Sequence, residues 1–196
     1  MPRRRATGYD SKLVHIRDTA AALFARDGFS RTSMAELANA CGVSKALLYH
    51  YFDGKEAILF DILQAYLDDL EEVIRIDRAQ SASARDHLRA LIGALLAQYR
   101  QAGNTHKLLT FDLTVLPQAR QDELRQTERR IMTCFEAALV HAAAEAGRTT
   151  PLEGPRAMML FGTLNWTYTW FREDGSLTLD AYSDLVTDST VMSLLS

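Results

Sequence analysis

Apolar positions along the chain recur at spacings of three and four, and no stretch alternates Val or Ile with polar residues over the length of a strand. The pattern predicts an all-α protein of nine helices. A first helix runs from about Ser11 to Asp27, with Leu13, Ile16, Ala20, Leu23 and Phe24 on one face and Gly28 as its stop signal. Ser33 and Glu36 form a capping box that opens a short second helix ending at Gly42, and Ser44 caps a third. A long fourth helix, from Lys55 to about Ala79, carries Ile58, Ile62, Tyr66, Leu70 and Val73. Beyond the Ser-rich joint at Ser81 to Ser83 follow a fifth helix to about Ala102 and a sixth from Thr105 to Leu116, with a break at Pro117. The seventh spans Gln118 to about Ala146 and stops at Gly147. The eighth, Pro155 to Phe171, is apolar nearly all round and has to be covered on most sides. A ninth starts near Thr178.

Helices two and three have the makings of a helix-turn-helix. Two short helices that cross steeply require a small residue at the crossing, a turn residue tolerant of positive φ, and a compact apolar wedge. Ala38, Gly42 and the set Leu37, Cys41, Val43, Leu48 and Tyr51 supply these in turn. Once the wedge is buried, Lys45, Ala46, Leu47, Tyr49 and His50 face outward, a second surface that a merely structural helix does not need. In such a pair the second helix enters the DNA major groove. Lys45 is placed for guanine, Ala46 and Leu47 for thymine methyls, and Tyr49 and His50 for phosphate oxygens. Ser44 sits at the start of that helix. Lys55, opening helix four, and Thr32 with Ser33, before helix two, are expected as flanking backbone contacts.

Charge supports a division of labour. The net value of −3 hides nine Lys/Arg against six Asp/Glu over residues 1–56, and thirteen against nineteen over the remainder. A basic part on an acidic body suggests a DNA-binding domain, 1–54, with a basic arm at 1–10, followed by a second domain, 55–196, into which helix four leads. Arg3, Arg4 and Arg5 are candidates for a minor groove or for phosphates.

The stretch RTSMAELANACGVSKALLYHYFDGKEAIL, residues 31–59, resembles the DNA-binding domain of TetR-type bacterial transcriptional regulators. By that resemblance Thr32, Lys45, Tyr49, His50 and Lys55 match the family's usual DNA-contacting positions. One departure is that His50 precedes Tyr51, where many members have an aromatic residue and then a histidine. The resemblance also implies a nine-helix TetR-like layout, a ligand cavity in the C-terminal domain, and a homodimer paired through helices eight and nine. A two-fold dimer predicts a palindromic DNA operator. The apolar eighth helix, and a ninth carrying Leu179, Tyr182, Leu185, Val186 and Val191, agree with such pairing.

Within the eighth helix, GTLNWTYTWFREDGSL is similar to members that respond to acyl-CoA thioesters. It holds Asn165 and Trp166. An acyl-CoA effector would need an apolar tunnel, for which Tyr99, Leu108, Phe111, Phe135, Leu139 and Trp166 are candidates, and basic residues for the CoA phosphates, for which Arg129, Arg130 and Arg172 are candidates. The expected function is a repressor released from its operator by the thioester.

Other classes have less behind them. Two cysteines, Cys41 and Cys134, both in apolar helical patterns, argue against a disulfide framework or a cysteine-rich metal site and are expected as buried thiols. No metal site, catalytic group or cofactor is expected. The five histidines lie far apart, and no HExxH, glycine-rich phosphate loop or GxSxG occurs. His106 near Asp112 is the one pair that an enzyme acting on thioesters could use. A regulator sensing drugs or other apolar compounds is the nearer alternative. The basic N-terminus lacks a following apolar segment and the longest apolar run is interrupted by Asn165, so no signal peptide or membrane span is expected and the cytoplasm is the default.

Overall fold

The computed structural model describes residues 8–149, 152–172 and 174–195, so Arg3, Arg4 and Arg5 lie outside the described residues. Among those described, the chain is helical with no strand. In order, α1 is Gly8–Asp27, α2 Met34–Ala40, α3 Lys45–Tyr51, α4 Lys55–Val73, α5 Ala84–Gln101, α6 Gly103–Asp112, α7 Gln118–Glu145, α8 Glu153–Asn165, α9 Thr167–Trp170 and α10 Leu179–Leu195, with short 3-10 turns at Arg78–Gln80 and Leu113–Val115. All nine predicted helices are present, the eighth being divided into α8 and the single turn α9.

Three ends differ from expectation, each for a local reason. The eighth helix breaks at Trp166, where Thr167 Oγ1 donates to the Leu164 carbonyl and Thr169 Oγ1 to that of Trp166, both at 2.7 Å. Threonine hydroxyls there offer the backbone an alternative to the helical ladder. Helix four stops at Val73, six residues short of Ala79, because Asp77 caps the next turn instead, accepting from the Ala79 N–H at 2.9 Å. Helix six ends at Asp112 and tightens into a 3-10 turn, since Leu116, before Pro117, is held extended at ψ 155°.

The chain divides into two compact units. The first takes in residues up to Tyr66 together with Asn104–Leu124, and the second Leu67–Gly103 with Arg125 onward. In the first unit Ile16, Phe24, Leu37, Leu48, Ile58 and Leu59 are essentially inaccessible to water, and the Phe24 and Phe29 rings meet with centroids 5.1 Å apart. Tyr66 on α4 and His106 on α6, 40 positions apart and both buried, form a hydrogen bond of 3.1 Å between the phenol oxygen and Nδ1. Tyr66 is thus a partner of His106, the residue whose neighbour Asp112 the sequence had singled out. Cys41 is buried as expected, whereas Cys134, in the second unit, is half-buried.

In the second unit the core is built from Leu88, Leu91 and Leu95 of α5, Phe135 and Leu139 of α7, and Leu160 and Leu164 of α8. Helix α10 packs along α5. Arg156 donates to the Ser193 carbonyl while Tyr182 reaches the Thr163 carbonyl, so α8 and α10 run antiparallel. Among the described residues no helix is long and apolar enough to cross a membrane.

Candidate nucleic-acid interface

The helix-turn-helix is fixed by contacts a few residues apart. Ser33 is the N-cap of α2; its hydroxyl accepts from the Glu36 N–H at 3.2 Å, and the Glu36 carboxylate accepts from the Ser33 N–H at 2.8 Å. That second bond holds the Glu36 carboxyl below the usual glutamate range. Gly42 turns the chain at φ 65°, and a Cβ there would meet nothing within 4 Å. Its requirement for glycine is therefore one of backbone conformation and not of space. The turn closes as the Val43 N–H donates to the Ala38 carbonyl at 3.0 Å. Ser44 then caps α3, its hydroxyl accepting from Leu47 N–H at 3.1 Å.

The wedge forms largely as expected. Leu37, Ala38, Cys41 and Leu48 are buried, with Val43 and Tyr51 half-buried. The His15 ring on α1 reaches the Cys41 carbonyl with Nε2 at 3.3 Å, which ties α1 to the end of α2.

Packing in this way turns one face of α3 to solvent. Ser44, Lys45, Ala46, Tyr49 and His50 are exposed, Ser33 is exposed at the start of α2, and Leu47 is half-buried. The Lys45 Nζ lies 5.8 Å from the Tyr49 ring centre. Two of the predicted contacts are placed differently. Thr32 is only 3% exposed and its hydroxyl donates to the Gly28 carbonyl at 3.0 Å. Lys55 is half-buried, and its ammonium donates to three main-chain carbonyls of the α1–α2 turn. Neither orientation was visible in the sequence, because the course of that turn sets both.

The candidate effector residues are divided between the two units. Leu108, buried, and Phe111, 52% exposed, belong to the first unit. In the second, Tyr99, Phe135 and Leu139 are buried, with the Phe135 ring 5.0 Å from that of Phe161. Asn165 has a buried side-chain oxygen with no hydrogen-bond partner among the described residues, while neighbouring Trp166 is 57% exposed. Arg129 and Arg130, with Gln126 and Thr133, line a shallow concavity of about 450 Å³ on α7. Arg130 is engaged by Glu71 through two bonds of 2.8 and 3.0 Å, and Arg172 by Asp174.

Glu128 on α7 is an ionisable group of the second unit that is not among the candidates named from the sequence. Burial pushes its carboxyl above the usual range, and its charge acts on the phenol of buried Tyr99. The signal was available: position 128 falls on the helical stripe of Leu124, Ile131 and Phe135, all buried.

An all-helical chain that presents a capped pair of short helices in this way defines a helix-turn-helix transcriptional regulator. Comparison with known proteins narrows the class. Residues 16–62 match the profile of "Bacterial regulatory proteins, tetR family", and residues 81–194, more than half of the chain, match that of the "Tetracyclin repressor-like, C-terminal domain". The chain belongs to the TetR family. It is similar to a TetR-family transcriptional regulator from Bordetella parapertussis 12822, at 32% identity over 93% of this chain and 95% of that one, with a TM-score of 0.84. The Fatty acid metabolism regulator protein of Bacillus subtilis (strain 168) is 26% identical across 92% of this chain and 94% of its own length. AibR, solved in complex with isovaleryl coenzyme A and operator DNA, superposes with a TM-score of 0.74 at 26% identity, covering 92% of this chain and 96% of that one. Other curated relatives align over less. The chain spans under half the length of the transcriptional repressor KstR2 of Rhodococcus jostii (strain RHA1), at 35% identity over 91 residues, 46% of this chain and 45% of that protein.

Proposed function

We propose that this protein is a homodimeric repressor that binds a palindromic DNA operator through α3 and leaves it on binding an acyl-CoA thioester. The observation that carries the DNA half is the outward face of α3, where Lys45, Tyr49 and His50 stand exposed on a helix whose opposite face is sealed by Leu48. Lys45, with the methyl groups of exposed Ala46 and half-buried Leu47, reads base edges; Tyr49, His50 and Ser33 meet phosphates. The likeness to AibR and to the Bacillus subtilis regulator supports a thioester as effector. Trp166, Asn165, Tyr99, Phe135 and Leu139 remain the candidates for the acyl part, with Arg129 and Arg130 beside the α7 concavity, and Arg172, for the CoA phosphates.

Pairing of two chains through α8 and α10 is supported by the large apolar side chains these helices leave in water: Met158 at 62%, Met159 at 73%, Leu185 at 57% and Met192 at 67% exposure. Effector binding acts by favouring a conformation in which the two α3 helices no longer fit neighbouring major grooves. A coupling of about 1–3 kcal/mol changes operator affinity roughly 5- to 150-fold.

Thermal unfolding in the presence of acyl-CoA thioesters, their free acids, CoA alone and unrelated apolar drugs tests the effector class. A thioester at about 100 times its Kd stabilises by roughly 2.7 kcal/mol, which is a shift of several degrees. A shift with drugs and none with any thioester would replace this reading by that of a drug sensor.

A further inference from the structure

Lys55 is the first residue of α4, where the exposed N–H groups of the helix make the surroundings positive and disfavour a second positive charge. Its ammonium is nevertheless held close by. Nζ donates to the carbonyl oxygens of Phe29 at 2.9 Å, Ser30 at 3.2 Å and Thr32 at 3.2 Å, and lies 4.6 Å from the centre of the Phe29 ring. A lysine ammonium has three donors, and here three carbonyls accept from them. A phosphate oxygen could gain a hydrogen bond from Lys55 only by displacing one of these.

The carbonyls all come from one turn. Gly28 leaves α1 at φ 88°, Thr32 closes back on Phe29 and Gly28 by its N–H and its hydroxyl, and the next residue, Ser33, is the N-cap of α2. A bond to the Thr32 carbonyl therefore acts one residue before the N-cap of α2. We infer that Lys55 is a positioning residue for DNA recognition, which clamps the first turn of α4 to the α1–α2 turn and so sets where Ser33 and α2 are presented. The inference rests on the DNA-binding reading above. It also gives α4 a grip on α2: displacement of Lys55 carries the start of α2 with it.

Two substitutions separate the clamp from a phosphate contact. Lys55→Met keeps an unbranched apolar stem as far as Cε and removes the ammonium with its charge and donors. Lys55→Arg keeps the charge, but its planar fork does not match three converging carbonyls. The probe is a DNA duplex selected from a random pool by the wild-type protein. The clamp predicts that both variants bind it about tenfold more weakly, that the slope of log affinity against log salt is unchanged, and that amide exchange speeds up over residues 30–33. A phosphate contact predicts instead that Lys55→Arg binds like wild type and that the slope for Lys55→Met is shallower by about 0.9, the value for one neutralised phosphate. That result would overturn the inference, as would faster exchange with unaltered affinity for both variants. Should the variants not fold, the wild-type protein provides its own test by NMR of the lysine ammonium groups without DNA. Slow exchange of the Lys55 ammonium protons with water is expected, and fast exchange contradicts the clamp. Lys45→Ala serves as control. If the wild type selects no duplex, the DNA-binding reading itself has failed and the proposal falls with it, whereas selection with a base preference that Lys45→Ala relaxes leaves only Lys55 in question.

Discussion

Lys45 and Tyr49 stand one helical turn apart on the outer face of α3, with the lysine Nζ 5.8 Å from the centre of the tyrosine ring. Their side chains thus share one surface and divide its tasks. Lys45 is nearer the N-terminus of α3, which meets base edges, and Tyr49 is nearer the flank. Replacing Lys45 by alanine is expected to relax preference at one base pair, with a loss of about 1–3 kcal/mol confined to the preferred sequence. Tyr49→Phe is expected to weaken all duplexes alike. Affinities for a selected duplex and its single-base variants distinguish the two, and a uniform loss for Lys45→Ala would remove its role in reading bases.

How much of this was legible in the sequence depended on distance along the chain. The capping box of Ser33 and Glu36, the turn at Gly42 and the outward face of α3 were readable because each follows from residues within a turn or two of one another. The break at Trp166 was not, because an apolar helical pattern does not reveal that Thr167 and Thr169 capture carbonyls of their own helix. The inward turn of Thr32 and Lys55 depends on how the α1–α2 turn folds over the start of α4, 23 to 26 positions away in sequence. The candidate effector residues are large apolar or basic side chains on helices. Composition alone did not separate buried Phe135 and Leu139 from exposed Phe111 and Trp166.

The capping box has a measurable share in stability. Ser33→Ala removes the oxygen that accepts from the Glu36 N–H and is expected to cost about 0.5–2 kcal/mol in urea unfolding. Because Glu36 titrates lower in the fold than in the unfolded chain, its contribution is present above the ordinary glutamate range and is lost as pH falls through its folded value. The acid limb of the stability curve should therefore flatten in Glu36→Gln.

On α5, Arg85 and Arg89 are one turn apart and face Asp180, Asp184 and Asp188 on α10, at 2.6 Å for Arg85 to Asp188 and for Arg89 to Asp180. The Arg89 side chain holds the Asp184 carboxyl below the usual range. Since the groups are largely exposed, the ladder should weaken with salt. Asp184→Asn is expected to lower Tm at neutral pH, and the difference from wild type should shrink in high salt and as pH falls below the aspartate range. A difference independent of both salt and pH would assign the loss to packing.

His87 on α5 offers a test of the opposite sign. Burial, reinforced by Arg78 and His141, pushes its imidazole below the ordinary histidine range. The unfolded chain therefore takes up a proton at a pH where the folded one resists it, and stability falls as pH drops below about 6.5. His87→Leu should remove that part of the slope when Tm is followed from about pH 7.5 to about 5. An unchanged slope would mean that another group sets it.

Pairing through α8 and α10 predicts that Met159→Glu combined with Leu185→Glu yields a monomer by sedimentation equilibrium with helical content intact. Both side chains are more than half exposed in the isolated chain, so the substitutions cost its own fold little. A dimer of undiminished strength would place the interface elsewhere.

The most direct test of the account is the affinity of the wild-type protein for its selected duplex, with and without a saturating acyl-CoA thioester that shifts its Tm. A fall of roughly 5- to 150-fold is expected with the thioester and none with the matching free acid or CoA alone. Equal affinity with and without a thioester that demonstrably binds would contradict it.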